Sequence, residues 1–355
     1  MARAKTDEHQ LALAIEELRT EEQPELVFST RVLTQTNLPY RNPPKSTESW
    51  ERRNGDLRLI VLPGRESDGN GGVRFVGFPF GTMPRLLLAW ICREALVTNS
   101  KVLELGTSLN GFVRELGFAS AGSGHTKRVR DQLKRLLYAE LRIEWTGNSK
   151  LREASAKFSV GSGMNVWWSP TEGGNPAELG SSIVLTEDFF KEIVEHPVPL
   201  NLKALKILAG SPMRLDMYAW FTYRLHLLDR PITVPWQVMR GHFGSNGSSD
   251  RRAAYEFKRD FTDHLEVVKE VYPEARVSIV ERGVKMEPSL PHVPTRATRG
   301  LRAAQRAAAS AGKPAVVRAA PVQPALDGLV MPETRRARPA AAKAAPSKTA
   351  RLAPE

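Results

Sequence analysis

A repeated order of secondary-structure signals constrains this chain more than any other feature of its sequence. The order occurs first in residues 84–168 and again in residues 212–287. Each copy has the pattern of an apolar helix, a short strand, a second helix, a turn rich in small polar residues, a third helix with a charged face, and a pair of strands. Two copies of one order predict two units of the same kind.

In the first copy, the first helix is predicted over residues 84–98 and the short strand over residues 102–105. Residues 108–117 predict the second helix, because a serine can cap its first turn and a glycine follows its last. The third helix, at about 125–140, has apolar residues on one face. Its basic face carries Lys127, Arg130 and Lys134.

The second copy has the same parts in the same order. They are a first helix at 217–225, a short strand at 232–233, a second helix at 235–242, a Gly- and Ser-rich turn at 244–249, and a third helix at about 251–270. The third helix has an apolar stripe of helical period from Ala254 to Val268. Alternating residues around Arg282-Gly283 predict a tight hairpin.

Helix, strand, helix, turn, basic helix and hairpin follow one another in the order of a winged helix. The sequence therefore predicts an α+β fold with two tandem winged-helix domains, and 355 residues are enough for two cores. The predicted parts are an N-terminal arm and linker (1–50), a first winged-helix domain (51–200), a second (201–290) and a disordered basic C-terminal tail (291–355). Two strands, 57–62 and 73–80, are predicted ahead of the first repeat.

The composition argues against a secreted or membrane protein. One cysteine, Cys92, lies in an apolar helix, which excludes a disulfide framework. Residues 1–20 are charged throughout, and the longest apolar run, 86–92, is far shorter than the roughly 20 residues that span a bilayer. We therefore expect a cytoplasmic protein without membrane contact.

The sequence also predicts a protein that is not an enzyme. Residues 117–127 superficially resemble a phosphate-binding loop, but no lysine directly follows the last glycine. The seven histidines are scattered, without the spacing of a metal site. We expect no metal and no cofactor.

The basic third helices are the candidate DNA-binding elements. In helix-turn-helix folds, the recognition helix enters the major groove while turns and wings contact phosphates. In the second unit this geometry predicts base contacts by Arg252, Arg259 and Glu256. It predicts phosphate or wing contacts by Ser248, Ser249, Arg251, Arg282 and Lys285. In the first unit the candidates are Lys127, Arg128, Arg130, Lys134 and Arg135.

An alternative for the third helix of the second unit remains open. Arg252 with Glu256, and Arg259 with Asp263, are spaced i, i+4. Such pairs can decorate a solvated helix without any binding role.

Several runs of residues resemble the plasmid-encoded RepA family of replication initiators. They are GTMPRLLLAWI (81–91), TNS (98–100), LELGTSL (103–109) and FVRELG (112–117), with LPYR (38–41) and WERRNG (50–55) upstream. The similarity extends from about residue 33 to about residue 290 and is most specific in its first half.

The resemblance implies a protein that binds repeated sites, called iterons, in the double-stranded DNA of a plasmid origin. It implies opening of the neighbouring duplex, recruitment of a host replication initiator, helicase or loader, and a monomer–dimer equilibrium. It also implies that the second unit makes the main iteron contact through Arg252 and Arg259, while the first makes dimer or secondary DNA contacts. The alternative is a winged-helix transcriptional repressor that binds a palindromic operator as a dimer.

Most of the positive charge lies in the tail. Residues 289–355 hold 12 Lys and Arg against 3 Asp and Glu, so they supply +9 of the net charge of +12, and the first 288 residues supply only +3. The tail lacks aromatic residues and has few large aliphatic ones, so burial cannot offset the entropy of ordering it. It is either a solubilising extension or an arm that binds polyanions without regard to sequence.

Deletion of residues 295–355 tests the second reading of the tail. We expect weaker binding to cognate and random duplex DNA by similar factors. The slope of log affinity against log salt should fall by about 0.9 for each phosphate that the tail neutralises in the full-length chain. Titration of the full-length and truncated chains on both duplexes, at several salt concentrations, measures this. An unchanged slope would leave the tail as a solubilising extension or a docking arm.

Overall fold

The structure is a computed structural model that describes residues 2–106, 112, 116, 123–146, 153–165, 181–244 and 250–293. These residues form an α+β fold with several small antiparallel sheets. The tail beyond residue 293 lies outside the described residues, as does most of the predicted helix at 108–117. Among the described helices, none combines the length and the apolar character needed to cross a membrane.

The first part of the chain contains four described helices and nine strands. The helices are α1 (Ala2–Arg19), α2 (Arg31–Gln35), α3 (Thr82–Thr98) and α4 (Ser123–Tyr138). The strands are β1 (Leu26–Thr30), β2 (Trp50–Asn54), β3 (Leu57–Leu62), β4 (Gly64–Ser67), β5 (Val73–Gly77), β6 (Val102–Glu104), β7 (Glu140–Thr146), β8 (Glu153–Ser159) and β9 (Gly161–Asn165).

The second part of the described chain continues this numbering. Its helices are α5 (Glu187–Glu195), α6 (Leu202–Leu208), α7 (Pro212–Arg224), α8 (Trp236–Phe243) and α9 (Arg251–Val271), with a 3₁₀ turn at Leu225–Leu227. Its strands are β10 (Ser182–Leu185), β11 (Pro197–Asn201), β12 (Ile232–Pro235), β13 (Val277–Val280) and β14 (Gly283–Met286).

Helix α9 and the hairpin after it form at the predicted positions, but Ala254, the first residue of the predicted apolar stripe, is exposed because the first turns of α9 project beyond the core. Phe261, Leu265 and Val268 are buried on one stripe of α9, and the Asp250 carboxylate caps the helix by accepting a hydrogen bond from the Ala253 N–H at 2.7 Å. Strands β12, β14 and β13 form one antiparallel sheet in that order. Gly283 permits this pairing, because a Cβ there would overlap the Val234 carbonyl oxygen of β12.

The strand pairing of the first repeat is different from that of the second. Strand β6 pairs with β10 rather than with the β7–β8 hairpin, and β7 pairs with β3 in the sheet β2-β3-β7-β8. Strand β3, whose alternate residues Leu57, Leu59 and Val61 are buried, extends the hairpin of the first repeat on its β7 side, whereas β12 extends the hairpin of the second repeat on its β14 side. The two repeats therefore differ in the pairing of their described strands.

The segment before α3 also differs in detail from the expectation. The strand predicted over residues 73–80 ends at Gly77, where φ is +97° and the chain turns. Residues 64–67, which lie between the two predicted strands, form β4 and pair with β5 in a two-stranded hairpin.

Helix α3 joins two hydrophobic cores. Leu87 and Ile91 belong to a core with β3, β7, α4 and α5, whereas Leu86 and Ala89 belong to a second core with α7, α8 and α9. The N-terminal arm adds to the second core through Ile15 of α1. Strand β1 pairs with β11, so packing crosses the boundaries predicted at residues 50 and 200.

A buried polar cluster connects the two cores. The Arg85 guanidinium of α3 binds both carboxylate oxygens of Asp216 of α7, each at 2.7 Å, and the two side chains are 8% and 10% exposed. The same guanidinium donates to the Leu38 carbonyl oxygen at 2.7 Å. The guanidinium of buried Arg52 donates to the Gly244 carbonyl oxygen at the end of α8.

Replacing Asp216 tests whether this cluster stabilises the fold. We expect Asp216→Ala to lower the free energy of unfolding by about 3–5 kcal/mol, because the Arg85 charge would stay buried without its partner. Urea denaturation followed by circular dichroism measures the loss. Glu256→Ala is the control, because it removes one half of an exposed ion pair that is worth at most about 1 kcal/mol. Equal losses in both variants would contradict a special role for the buried pair.

Candidate nucleic-acid interface

The first three turns of α9 project an exposed row of long side chains. Arg252 and Arg259 have side chains that are 86% and 58% exposed, and Tyr255 between them is 69% exposed. These three residues are spaced i, i+3 and i+7, so they lie on one face, opposite the buried stripe. We call them the ridge. It spans about 10 Å along the helix axis, which equals the axial rise of about three base pairs of duplex DNA.

Each arginine of the ridge has a carboxylate partner. The Arg252 Nε–Glu256 Oε1 distance is 2.9 Å, which is the i, i+4 pair of the alternative reading. Arg259 pairs with its neighbour Asp260 at 2.8 Å rather than with Asp263, and this bond raises the pKa of Arg259. Exposed ion pairs of this kind contribute less than about 1 kcal/mol. A phosphate or a guanine edge can therefore compete for both guanidinium groups.

The hairpin residues lie close to the start of α8. Arg282 is exposed at the turn between β13 and β14, and its carbonyl oxygen accepts a hydrogen bond from the Trp236 N–H at 3.3 Å. Lys285 Nζ lies 2.5 Å from Glu287 Oε1, and this contact lowers the pKa of the Glu287 carboxyl. Arg251 is exposed at the first residue of α9. Ser248 and Ser249 lie outside the described residues.

The basic residues of α4 fall into two groups. Lys127, Arg128 and Arg130 are exposed near the N-terminal end of the helix. Lys134 Nζ instead lies 2.5 Å from Glu66 Oε2 on β4. Arg135 binds Asp131 at 2.9 Å, donates to the Phe78 carbonyl oxygen at 3.3 Å and stacks on the Phe80 ring. The second group therefore holds α4 against the segment before α3.

Tyr255 was not among the residues predicted from the sequence. Its exposure follows from its position, because it is three residues after Arg252 and four before Arg259 on the polar face of α9. An aromatic residue on an otherwise charged face is the signal that could have identified it. Its ring can contact a base methyl or a sugar, and its hydroxyl can bind a phosphate oxygen.

Comparison with known families identifies the central part of the chain. Residues 78–237 match the family described as plasmid encoded RepA protein. The match begins before α3 and ends in α8, so it includes all the described elements of the first repeat and the first helix of the second. The resemblance drawn from the sequence runs is confirmed.

Two solved structures resemble the chain at a lower level. They are crystal structures of domains 2 and 3 of RctB, one of them from selenomethionine derivatives. Their TM-scores are 0.44 and 0.42, with 13% and 14% sequence identity over 72% of this chain and 95% and 96% of theirs. Likeness at this level transfers no property of RctB to the chain. Comparison with curated protein sequences gave no match.

The two groups of basic residues on α4 have different expected effects on DNA binding. Lys127→Ala with Arg130→Ala should reduce the slope of log affinity against log salt by up to about 1.8, which corresponds to two phosphates. Lys134→Ala should leave the slope nearly unchanged, because its ammonium group binds Glu66. Fluorescence anisotropy with a labelled duplex at several salt concentrations measures both. If Lys134→Ala reduced the slope more than the double variant did, Lys134 rather than Lys127 and Arg130 would be the phosphate contact.

Proposed function

We propose that this chain is a plasmid replication initiator that binds repeated sites at an origin through two tandem winged-helix units. The observation that carries the proposal is the ridge on α9, in a chain whose residues 78–237 match the plasmid-encoded RepA family. The protein acts without catalysis, opens the duplex beside its binding sites, and recruits a host initiator, helicase or loader. It works in the cytoplasm, without membrane contact.

The arrangement of residues 212–286 supports a winged-helix unit. Helix α7, strand β12, helices α8 and α9, and the β13–β14 hairpin follow in the required order, and the three strands pair as β12-β14-β13. In this fold the third helix enters the major groove and the hairpin lies beside it. The ridge then faces base edges, and Arg282 faces the backbone.

The chemistry of the ridge supports base reading by Arg252 and Arg259. A guanidinium can donate two hydrogen bonds to the O6 and N7 atoms of guanine, which distinguishes one base pair from the others. Phosphate contacts from Arg251, Lys127, Arg128 and Arg130 would fix the register without adding sequence information. Specificity and positioning are thus assigned to different side chains.

The first repeat supports a secondary role in DNA binding or self-association. Its helix α4 exposes three basic residues, while Lys134 and Arg135 are engaged within the fold. Two units on one chain can occupy two successive major grooves of a direct repeat as a monomer. A transcriptional repressor of the same fold would instead bind a palindrome as a stable dimer, so stoichiometry on direct and inverted repeats separates the two functions.

Replacing Arg252 tests the base-reading assignment. We expect Arg252→Ala to weaken binding to the cognate repeat by about 1–3 kcal/mol and to relax preference at one or two base pairs. Binding to a panel of single-base variants of the repeat measures both effects. Lys269→Ala, which removes a cation from the far end of the same helix, is the matched control.

Two outcomes would contradict this assignment. An equal loss of affinity on every sequence of the panel would show that Arg252 binds a phosphate and not a base. The loss could also arise from the freed Glu256 carboxylate, which would repel DNA. The double variant Arg252→Ala, Glu256→Ala separates these causes, because restored affinity in the double variant would show that Arg252 only neutralises Glu256.

A further inference from the structure

Residues 41–49 form an exposed segment, here called the strap, that runs across the surface between Tyr40 and strand β2. It contains the cations Arg41 and Lys45 and the single carboxylate of Glu48, all three of which are exposed. Pro43 and Pro44 restrict its backbone, and the Thr47 N–H donates to the Pro44 carbonyl oxygen at 2.9 Å. None of the DNA contacts assigned above uses this segment.

Both ends of the strap are fixed to the fold. Before it, the Pro39 carbonyl oxygen accepts a hydrogen bond from the Gly81 N–H at 3.0 Å, and the Asn37 amide donates to the His242 carbonyl oxygen at 2.8 Å. The guanidinium groups of Arg52 and Arg85 lie 5.6 and 5.2 Å from the centre of the Tyr40 ring. After it, Trp50 pairs with β3. A segment held in this way loses little conformational entropy when it binds a ligand.

The strap lies between the two third helices. On one side, Asn42 Oδ1 accepts a hydrogen bond from Arg135 Nη1 of α4 at 3.2 Å. On the other side, the strap faces the N-terminal half of α9 across an open cleft of about 790 Å³. Arg41 and Thr47 line one wall of this cleft, and Ala253 and Glu256 line the other.

The charges around the cleft favour an anion on the strap side. The carboxylates of the α9 wall are those of Glu256 and Asp260, and Arg252 and Arg259 neutralise them. Arg240 adds a cation to the lining. Burial and the neighbouring Arg214 lower the pKa of His264, which favours the neutral form of this lining residue.

In the proposed complex, the anion beside the strap is the phosphate backbone of the duplex. When two recognition helices enter successive major grooves on one face, the minor groove between them is bordered by two sugar–phosphate backbones. We propose that the strap is a third DNA contact, in which Arg41 and Lys45 bind phosphates of the backbone beside this intervening minor groove. This inference rests on the proposed function, because it takes the DNA path from α4 and α9.

The double variant Arg41→Ala, Lys45→Ala tests the strap in the full-length chain. We expect the slope of log affinity against log salt to fall by about 1.8 on cognate and random duplexes alike, because two phosphates would no longer be neutralised. Between 50 and 200 mM salt, wild type would then lose about 10-fold more affinity than the variant. Preference among single-base variants of the repeat should stay unchanged. Hydroxyl-radical footprinting should show weaker protection at the intervening minor groove.

A matched control removes two exposed cations from other helices. Lys191→Ala with Lys206→Ala, on α5 and α6, should leave the slope and the footprint unchanged. Arg41→Gln with Lys45→Gln keeps side-chain length and replaces the alanine variant if circular dichroism shows that the latter is unfolded. An unchanged slope in the strap variant, or an equal change in the control, overturns the proposal.

The experiment also distinguishes failure of the strap from failure of the proposed function. If wild type prefers the repeat and Arg252→Ala relaxes that preference while the strap variant behaves as wild type, only the strap inference is wrong. If wild type shows no preference for any repeat beside the gene and Arg252→Ala changes nothing, the proposed function fails and the strap inference fails with it.

Discussion

The buried ion pair between Arg85 and Asp216 is the interaction on which the relative placement of the two cores depends. Apolar contacts along α3 are not directional, so the two cores could slide against each other at small cost. A bidentate pair between side chains that are 8% and 10% exposed does not allow this, because displacement would leave two charges buried without partners. The pair therefore sets the position of α7 relative to α3, and α9 packs on α7.

This constraint has a consequence for DNA binding under the proposed function. Two recognition helices on flexibly joined domains could follow many spacings of half-sites, whereas two helices on one connected core accept a narrow range. The hydrogen bonds from Asn37 to His242 and from Arg52 to Gly244 add to the connection at the end of α8. Selectivity for the spacing of major grooves then comes from the fold itself, separately from the base contacts of the ridge.

Local periodicity was sufficient to predict some elements, but not the pairing of the strands. The stripe of α9 and the hairpin at Arg282-Gly283 follow from patterns of a few residues. The pairing of β6 with β10, about 80 positions away in sequence, has no local signature, since only the packing of the whole fold brings strands so far apart together. The same limit applies to Lys134, which carries the same charge as Lys127 but binds a carboxylate of the distant strand β4.

The pairing of arginines with carboxylates on α9 explains how affinity and specificity can be separated. Arg252 and Arg259 are largely neutralised by Glu256 and Asp260, so the ridge attracts a random phosphate backbone only weakly. The O6 and N7 atoms of guanine are two aligned acceptors that can replace the carboxylate partner, because the exposed ion pair is worth less than about 1 kcal/mol. Only the matching base offers both acceptors. Attraction to DNA without regard to sequence is left to exposed cations outside the ridge, such as those of the strap and of the N-terminal end of α4. Under the proposed function, mutations in these regions should therefore change the salt dependence of binding and leave discrimination between sites unchanged. Mutations in the ridge should instead reduce discrimination between sites and change the salt dependence little.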